Sequence, residues 1–270
     1  MNKNLKLGFI GGGALAEALI KSLVPSGLTA AQNIFVAERR AERGEELRSR
    51  YGVNTATTAD DFLSKVEALC LAVKPKDAQT AMEEISNKIS ANTLLISVVA
   101  GLQLKNIEKN FGASQPIIRI MPNVAQAVGA GMAAFALGKN ATTAHGELVQ
   151  DLWGAVGRVV KLPENLLDAV TGLSGSGPAF GFLVIDALSD GGVAAGLPRD
   201  VATLLAAQTM YGAAKMVLDT EEHPDALRDK VTSPAGTTIA GVRVLEKAGV
   251  RSAMMEAVIA ATEKSKELGR

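Results

Sequence analysis

The first residues in the sequence that could do chemistry are glycines after a short apolar run. Gly11, Gly13 and Ala16 fit the pattern G-x-G-x-x-G/A between a β-rich segment and an apolar-periodic one. Glycines at this spacing permit a tight turn and let a pyrophosphate approach backbone N–H groups at a helix N-terminus. Glu38 ends the next β-rich run, where a carboxylate would accept hydrogen bonds from an adenosine ribose. The pattern predicts dinucleotide binding, with a flavodoxin-like or purely structural strand-turn-helix as the alternative.

Opposite charges at the end of the second β-rich run leave the choice of nucleotide open. Glu38 would bind a ribose diol and repel a 2′-phosphate, which favours NADH. Arg39 and Arg40 could bind that phosphate, which favours NADPH, or they could be a solvated helix start. The sequence therefore predicts NADPH or NADH without a choice between them.

Two loops rich in glycine and hydroxyl side chains precede helical patterns in the second half of the chain. In the first, residues 174–178, Ser176 could cap a helix that begins at Pro178, so the pattern indicates either a ligand site or simple capping. The second, residues 232–238, places hydroxyl and free N–H groups before an apolar-periodic segment. A carboxylate would be stabilised there.

The sequence shows no obvious base for alcohol oxidation and no metal site. Lys or His usually takes the hydroxyl proton, and the helix after the first loop has neither. His145 lies in a polar stretch and His223 precedes Pro224 at a predicted helix start, so both are expected to be exposed or capping. The one cysteine, Cys70, is expected to be a buried strand residue.

Short β-rich runs alternate with helical patterns from residue 5 to about 160, which predicts a parallel sheet with helices on both faces. The predicted strands are residues 5–10, 34–37, 68–73, 93–99 and 116–121, with weaker ones at 131–137 and 158–162. Asp60 and Asp77 are predicted helix N-caps, and residues 25–27 should end the first helix. Lys74 and Pro75 follow the third strand, where such sheets bind ligands, although a surface turn would give the same pattern.

The composition changes after residue 162, where alanine, leucine and helix caps dominate. We expect an α/β fold: a Rossmann dinucleotide-binding domain, residues 1–162, followed by an all-α dimerisation domain, residues 163–270. Residues 178–188 are apolar almost all round and too short to span a membrane, which predicts a central buried helix. A helical domain of this size could hardly enclose that helix alone, so we expect a dimer in which the helical domains pack together. The alternative is a monomer in which this helix packs against the Rossmann domain of the same chain.

Charge balance and apolar content limit the expected partners. Lys plus Arg and Asp plus Glu both total 28, which gives no sign of binding to nucleic acid or an anionic membrane surface. A small neutral or zwitterionic substrate is compatible with this balance. We found no apolar run of about 18 residues and no signal-peptide pattern, so we expect no membrane association and a cytoplasmic location.

Short motifs in both predicted domains form an ordered set. They are Gly11-Gly12-Gly13, Ala16-Glu17-Ala18, Ala72-Val73-Lys74-Pro75, Ser97 with Ala100-Gly101, Met121-Pro122-Asn123, Ser174-Gly175-Ser176-Gly177-Pro178-Ala179 and Asp190-Gly191-Gly192-Val193. The most diagnostic run is residues 227–234 continued by Gly236-Thr237-Thr238-Ile239. Over essentially the whole chain, this set resembles the Δ1-pyrroline-5-carboxylate reductase family, which makes proline in the last step of its biosynthesis.

The resemblance implies NAD(P)H-dependent reduction of 1-pyrroline-5-carboxylate to L-proline at a site between the two domains, in dimers that often assemble into decamers. It implies that Ser233, Gly236 and Thr237 belong to the loop that binds the substrate carboxylate, with Ser176 as a further substrate-binding residue. Thr238 would lie close to the ring nitrogen as the catalytic hydrogen-bonding group. The expected cofactor-binding residues are Gly11, Gly12, Gly13, Ala14, Leu15, Glu38, Arg39, Arg40, Ala72, Val73, Lys74, Pro75, Met121, Pro122 and Asn123.

The chemistry of an imine agrees with the missing base, because a cyclic imine can arrive protonated and hydride transfer then needs orientation more than a strong acid. The chain departs from the family pattern at Ala14-Leu15, usually Asn-Met, and at Val124-Ala125, usually Thr-Pro. Ala235 replaces a common glycine, and Phe180 a common tyrosine. Two alternatives therefore stay open: a reductase of another cyclic imino acid, and an inactive nucleotide-binding regulatory protein.

Overall fold

The computed structural model describes residues 4–269, which form two compact units. One unit comprises the chain up to Ser176 together with the segment from Ala260 on, and the other is Gly177–Ile259. The expected domain boundary between residues 162 and 163 stays a prediction. The expected domains include residues 1–3 and 270, which lie outside the described residues.

The first unit is built on a twisted sheet. Its strands are β1 (Leu7–Ile10), β2 (Ile34–Ala37), β3 (Asn54–Ala56), β4 (Ala68–Leu71), β5 (Leu94–Ser97), β6 (Ile117–Met121), β7 (Gly131–Leu137) and β8 (Gly157–Lys161). Their order in the sheet is β3-β2-β1-β4-β5-β6-β7-β8. The chain crosses from β1 outward to β2 and β3 and then back to β4, so the carboxyl ends of β1, β2 and β4 meet at a switch point where open α/β sheets bind ligands. The predicted Rossmann fold is confirmed.

Two details of the predicted sheet are wrong. β7 pairs with β6 in the antiparallel sense, whereas a parallel sheet was expected throughout. A connection of nine residues between β6 and β7 is too short for the crossover that a parallel neighbour requires. The short strand β3 was missed because its sequence, Asn-Thr-Ala, lacks an apolar run.

Helices of the first unit cover both faces of the sheet. They are α1 (Ala14–Ser26), α2 (Ala41–Tyr51), α3 (Ala78–Ser86), α4 (Leu104–Glu108), α5 (Thr143–Gly154) and α6 (Leu167–Val170). Successive residues of one strand enter opposite cores: Phe9 packs in one apolar cluster and Ile10 in the other. A left-handed Gly27, with φ of 70°, ends α1 as predicted.

The two predicted aspartate caps are not hydrogen-bonding caps. Asp77 stands at the N-cap position of α3, but its side chain makes no capping hydrogen bond. Asp60 begins no helix: residues 60–65 form turns, and its carboxylate binds Lys88 at 2.7 Å. Both residues are instead near the cleft described below.

The second unit is helical. It contains α7 (Gly177–Ala194), α8 (Arg199–Thr220), α9 (Pro224–Lys230), α10 (Thr237–Lys247) and most of α11 (Val250–Leu268), whose residues from Ala260 on belong to the first unit. α7 and α8 pack closely because Gly192 has no side chain: a Cβ there would lie 3.0 Å from Cβ of Ala202. The Ser189 and Thr203 hydroxyls join the two helices at 2.8 Å.

α7, which contains the predicted residues 178–188, is largely exposed in the single chain, and its burial in a dimer stays a prediction. Phe182 is 65% exposed and Leu183 66% exposed, and among the side chains described for α7 only Ser189 is buried. The apolar character that predicted burial is real, but this chain does not supply enough neighbouring helix surface to cover it.

Candidate functional site

A cleft opens at the carboxyl ends of β1, β2 and β4. Its volume is about 720 Å³. It is lined by the predicted residues Gly11, Gly13, Glu38, Arg39, Arg40, Ala72, Val73 and Lys74, together with residues after β3 and on α3. A volume of this size suits an extended small molecule such as a nucleotide cofactor.

The absence of a side chain serves the fold at Gly11 and leaves room for a ligand at Gly13. Gly11 has φ of 98°, and a Cβ there would lie 2.6 Å from the carbonyl oxygen of Ala72. Gly11 is thus required by the fold. Gly13 has φ of −73°, and a Cβ there would meet no atom within 4 Å. This open space lies beside the N-terminus of α1, where first-turn N–H groups favour an anion. These features fit a dinucleotide pyrophosphate.

Glu38 is held at the base of the cleft by donors from two directions. Its Oε2 accepts the Gly12 N–H at 3.1 Å, and its Oε1 accepts both the backbone N–H and Nε of Arg40 at 3.1 Å. Burial raises the pKa of Glu38, but these hydrogen bonds and the Arg40 charge outweigh it, so the pKa lies below its ordinary value. The carboxylate is ionised at neutral pH.

Exposed cations surround the mouth of the cleft. The side chains of Arg39 and Arg40 are 64% and 70% exposed, although Arg39 approaches Glu84 at 3.8 Å. Lys74 is exposed at the carboxyl end of β4. An anionic group such as a 2′-phosphate could reach these side chains without displacing any buried group.

Several predicted cofactor residues lie outside the lining of this cleft. Gly12 is buried behind it, and a Cβ there would lie 2.7 Å from Leu47. Ala14 and Leu15 form the first turn of α1, and Pro75 opens a short 3-10 turn after Lys74. Met121, Pro122 and Asn123 stand at the carboxyl end of β6.

Asn123 connects the end of β6 to the first glycine-serine loop. Its Nδ2 donates to the Ser174 carbonyl at 3.0 Å, and its Oδ1 accepts N–H groups of Ala125 and Met132 at 3.2 Å. The Ala125 hydrogen bond depends on the departure from the family pattern, since the usual proline has no N–H. Ser176 lies two residues after Ser174 and is the last residue before the second unit begins.

The second glycine-hydroxyl loop lies in the second unit and leads into α10. Gly236 is the N-cap of α10 without a side-chain cap, so backbone N–H groups of the first turn are available to a ligand. Gly236 N–H donates to the Ser233 carbonyl at 3.1 Å, and a Cβ at Gly236 would collide with the Ser233 hydroxyl. Thr237 is exposed and Thr238 half-buried.

The backbone at Ala235 shows the effect of one departure from the family pattern, an alanine in place of a glycine. Its φ is 55°, in the left-handed region that glycine adopts without strain. The loop therefore keeps the backbone conformation that a glycine would allow, at a cost of about 1 kcal/mol.

The two histidines and the cysteine have the structural roles predicted for them. Thr142 and His145 form a reciprocal capping box at the start of α5, and His223 accepts the Asp225 N–H at the start of α9. Cys70 is buried in β4, and burial raises the pKa of its thiol to about 12.

Sequence reasoning missed several residues of the cleft. Thr57 and Thr58 line it because they follow the unrecognised strand β3. Lys76 lines it from the 3-10 turn after β4, and Lys88 from the turn after α3. Arg43, on α2, was also missed: its Nε donates to the Gly12 carbonyl at 3.0 Å. The signal in the sequence was a cation in the first turn of the helix that follows Glu38.

The fold and the cleft together define a nicotinamide-dinucleotide-dependent oxidoreductase with a helical second domain. Two family models match the chain: "NADP oxidoreductase coenzyme F420-dependent" over residues 6–101 and "Pyrroline-5-carboxylate reductase dimerisation" over residues 164–268. The chain is 46% identical over 267 residues to a pyrroline-5-carboxylate reductase of Synechocystis, covering 99% of both chains.

Solved structures give the same result. A pyrroline-5-carboxylate reductase from Coxiella burnetii is 32% identical with a TM-score of 0.92, covering 98% of this chain and 99% of that one. The Plasmodium falciparum enzyme with NADP bound is 30% identical with a TM-score of 0.89, covering 99% of both. The chain belongs to the pyrroline-5-carboxylate reductase family, and it uses NADPH or NADH.

Proposed function

We propose that this chain reduces 1-pyrroline-5-carboxylate to L-proline with NADPH or NADH. Two features of the chain carry the proposal together. One is the cleft suited to a dinucleotide. The other is the loop of residues 232–238, which contains hydroxyl and N–H groups but no titratable side chain. The cations just before this loop are paired: Lys230 binds Glu222, and Arg228 binds Asp225 and Asp229. An imine that arrives protonated needs no general acid of tuned pKa.

The loop is suited to hold the substrate carboxylate. Its N–H groups at the start of α10 carry the positive end of the helix dipole, which stabilises a carboxylate. The Thr232 hydroxyl donates to the Arg228 carbonyl at 2.8 Å and so ties the loop to α9. Fixed donors orient the imine carbon, and such positioning is the larger part of catalysis here. Ser176, Ser233, Gly236 and Thr237 are the proposed substrate-binding residues.

Thr238 is the proposed catalytic residue. As a hydroxyl group it can both donate and accept, so it can hydrogen-bond the ring nitrogen before and after reduction and relay its proton. The reduced nicotinamide, when bound, supplies the hydride. Its proposed ligands at that end are Met121, Pro122 and Asn123.

Three variants of Thr238 test this role. Thr238→Val keeps the shape and removes the hydroxyl, so we expect kcat for 1-pyrroline-5-carboxylate to fall about tenfold or more while the NADPH Kd is unchanged. Thr238→Ser should restore most of the activity, and Thr238→Ala should resemble Val. Unchanged kcat in the Val variant would remove Thr238 from the mechanism.

The alternative functions are separated by substrate. Purified protein is assayed by loss of reduced-nicotinamide absorbance with 1-pyrroline-5-carboxylate and with its six-membered homologue. Oxidation with the five-membered ring supports the proposal. Oxidation of the reduced nicotinamide with the six-membered ring alone identifies a reductase of another cyclic imine. Nucleotide binding without turnover of either imine identifies a regulatory protein.

NADPH is the proposed preference of the two cofactors. Both oxygens of Glu38 already accept hydrogen bonds, while Arg39 and Arg40 are exposed at the cleft. Replacing both arginines with Met should raise KM for NADPH about tenfold and leave KM for NADH within about twofold. An equal rise for both nucleotides would contradict the assignment to the 2′-phosphate.

We propose that the helical domain forms a homodimer, with decamers as a higher assembly. The matched dimerisation family covers the helices whose apolar side chains are exposed in the single chain, among them Phe182, Leu183, Leu204, Leu205 and Tyr211. By length and composition alone, α8 with its 22 residues could cross a membrane. We propose that a second copy covers it instead, in a cytoplasmic protein that binds neither membrane nor nucleic acid. Light scattering without detergent should give a dimer or a multiple of it; a detergent requirement would contradict this.

A further inference from the structure

The peptide groups on either side of Gly12 are held by two side chains of opposite charge. Glu38 accepts the Gly12 N–H at 3.1 Å, and Arg43 donates through Nε to the Gly12 carbonyl at 3.0 Å. Both anchors come from outside the glycine turn, Glu38 from the end of β2 and Arg43 from α2. The turn is therefore not free to rotate its peptide planes.

The Arg43 hydrogen bond sets the direction of the next N–H. Because the peptide bond is planar and trans, the Gly12 carbonyl and the Gly13 N–H point in opposite directions. With Arg43 bound to the carbonyl, the Gly13 N–H points away from Arg43. Gly13 lines the cleft, and a Cβ built on it would meet no atom within 4 Å. A peptide flip would place the Gly12 carbonyl oxygen where the Gly13 N–H now points, and an oxygen in that direction would repel an anion.

Arg43 is itself fixed by two carboxylates. Its guanidinium binds Glu17 in the first turn of α1 and Glu46 at 2.8 Å on its own helix, and the side chain is 17% exposed. Arg50 and Tyr51 bind the other side of Glu17, at 2.6 and 2.9 Å. The planar guanidinium thus bridges the glycine turn and the helix that follows it, a geometry that Lys cannot reproduce.

We propose that Arg43 is a positioning residue for the cofactor pyrophosphate: it holds the Gly12 peptide so that the Gly13 N–H faces the phosphate oxygens. This deepens the proposed function and rests on dinucleotide binding in this cleft. The role concerns the pyrophosphate alone, since the Arg43 contact is made to the glycine turn and to neither end of the cleft.

Arg50 is a matched control for this role. It is an arginine on the same helix with an ion pair to the same Glu17, but its described contacts do not include the glycine turn. Arg43→Met and Arg50→Met both remove one ion pair of Glu17. Arg43→Met removes in addition the donor to the Gly12 carbonyl and the exposed ion pair with Glu46.

The test measures binding by calorimetry for NADPH, for ADP-ribose, which contains the pyrophosphate, and for adenosine 2′-monophosphate, which does not. For Arg43→Met we expect a loss of about tenfold for NADPH and ADP-ribose and less than about twofold for adenosine 2′-monophosphate. Arg50→Met should change none of the three by more than about twofold. In turnover, the Arg43→Met defect should fall on KM for NADPH rather than kcat.

Three results would overturn the proposal: unchanged ADP-ribose affinity in Arg43→Met, an equal loss for adenosine 2′-monophosphate, or an equal defect in Arg50→Met. Should Arg43→Met fail to fold, Arg43→Lys keeps the charge beside Glu17 without the bridging geometry. It should show a smaller loss confined to the pyrophosphate ligands, and equal losses for all three ligands would refute the role. A wild-type chain that binds ADP-ribose but reduces no imine would refute the proposed function and leave this inference intact.

Discussion

A single added methyl group at Gly13 should weaken cofactor binding without unfolding the protein. In Gly13→Ala the new Cβ meets no heavy atom within 4 Å, and the backbone φ of −73° is allowed for alanine. Alanine is a poorer N-cap than glycine, so the cost to stability should stay below about 1 kcal/mol. In the proposed binding mode, the methyl group would occupy the space through which a pyrophosphate approaches the N–H groups of α1. NADPH affinity should fall at least about tenfold, or about 1.4 kcal/mol.

Gly11→Ala is the contrasting variant two residues away. The left-handed φ of 98° costs alanine about 1–3 kcal/mol, and the overlap of its Cβ with the Ala72 carbonyl oxygen, at 2.6 Å, adds about 1–3 kcal/mol. A total of about 4 kcal/mol, the middle of the summed range, would lower Tm by about 8–16 °C. The same methyl group should therefore act on stability at Gly11 and on binding at Gly13.

Thermal unfolding by circular dichroism and NADPH titration by fluorescence separate the two effects. Wild type, Gly11→Ala and Gly13→Ala are measured side by side, with each Tm taken without nucleotide. If Gly13→Ala binds NADPH as tightly as wild type, the open space beside α1 is not the pyrophosphate cradle. A wild-type Tm for Gly11→Ala would refute the argument from φ and steric overlap.

Three further outcomes follow from buried or paired ionisable groups. The hydrogen bond from Arg43 lowers the pKa of Glu17 below its usual 4.5; burial opposes this, and Tyr51 and Arg50 contribute to it. The ionised Glu17 therefore stabilises the folded protein above pH 4.5, and this stabilisation is lost as the pH falls through the pKa of the folded state. In urea unfolding, Glu17→Gln should be less stable than wild type at neutral pH, and the difference should vanish on acidification; a constant difference would contradict this. Cys70, with its pKa raised to about 12 by burial, should resist thiol reagents at neutral pH until urea unfolds the chain, and rapid native labelling would be inconsistent with the buried strand. Arg119 is 3% exposed and lies 3.2 Å from Glu164 and 3.8 Å from Asp168, so Arg119→Met should cost about 3 kcal/mol in denaturant unfolding by leaving two carboxylates without their cation.

Local pattern was sufficient for most of the first unit. β2 and β7 have the predicted bounds, and Gly27 ends α1 where expected, because strand runs and helix stops are written in adjacent residues. The helix predicted after Asp60 does not form, since an N-cap residue is also favoured in turns. The antiparallel β7 could not be predicted from its own residues, because strand direction depends on where the chain returns to the sheet.

For the candidate site, the sequence by itself determined which local groups are present: the glycine turn, Glu38, the exposed arginines and the hydroxyl loop before α10. These follow from turn and helix-terminus chemistry within a few residues. Tertiary structure decided how they are used. It directed Glu38 and Arg43 to the two peptide groups that flank Gly12, and it left Phe182 and Leu183 of α7 exposed. The contacts of Glu38 and Arg43 join residues that are far apart in the chain, so their geometry is set when the sheet and helices pack.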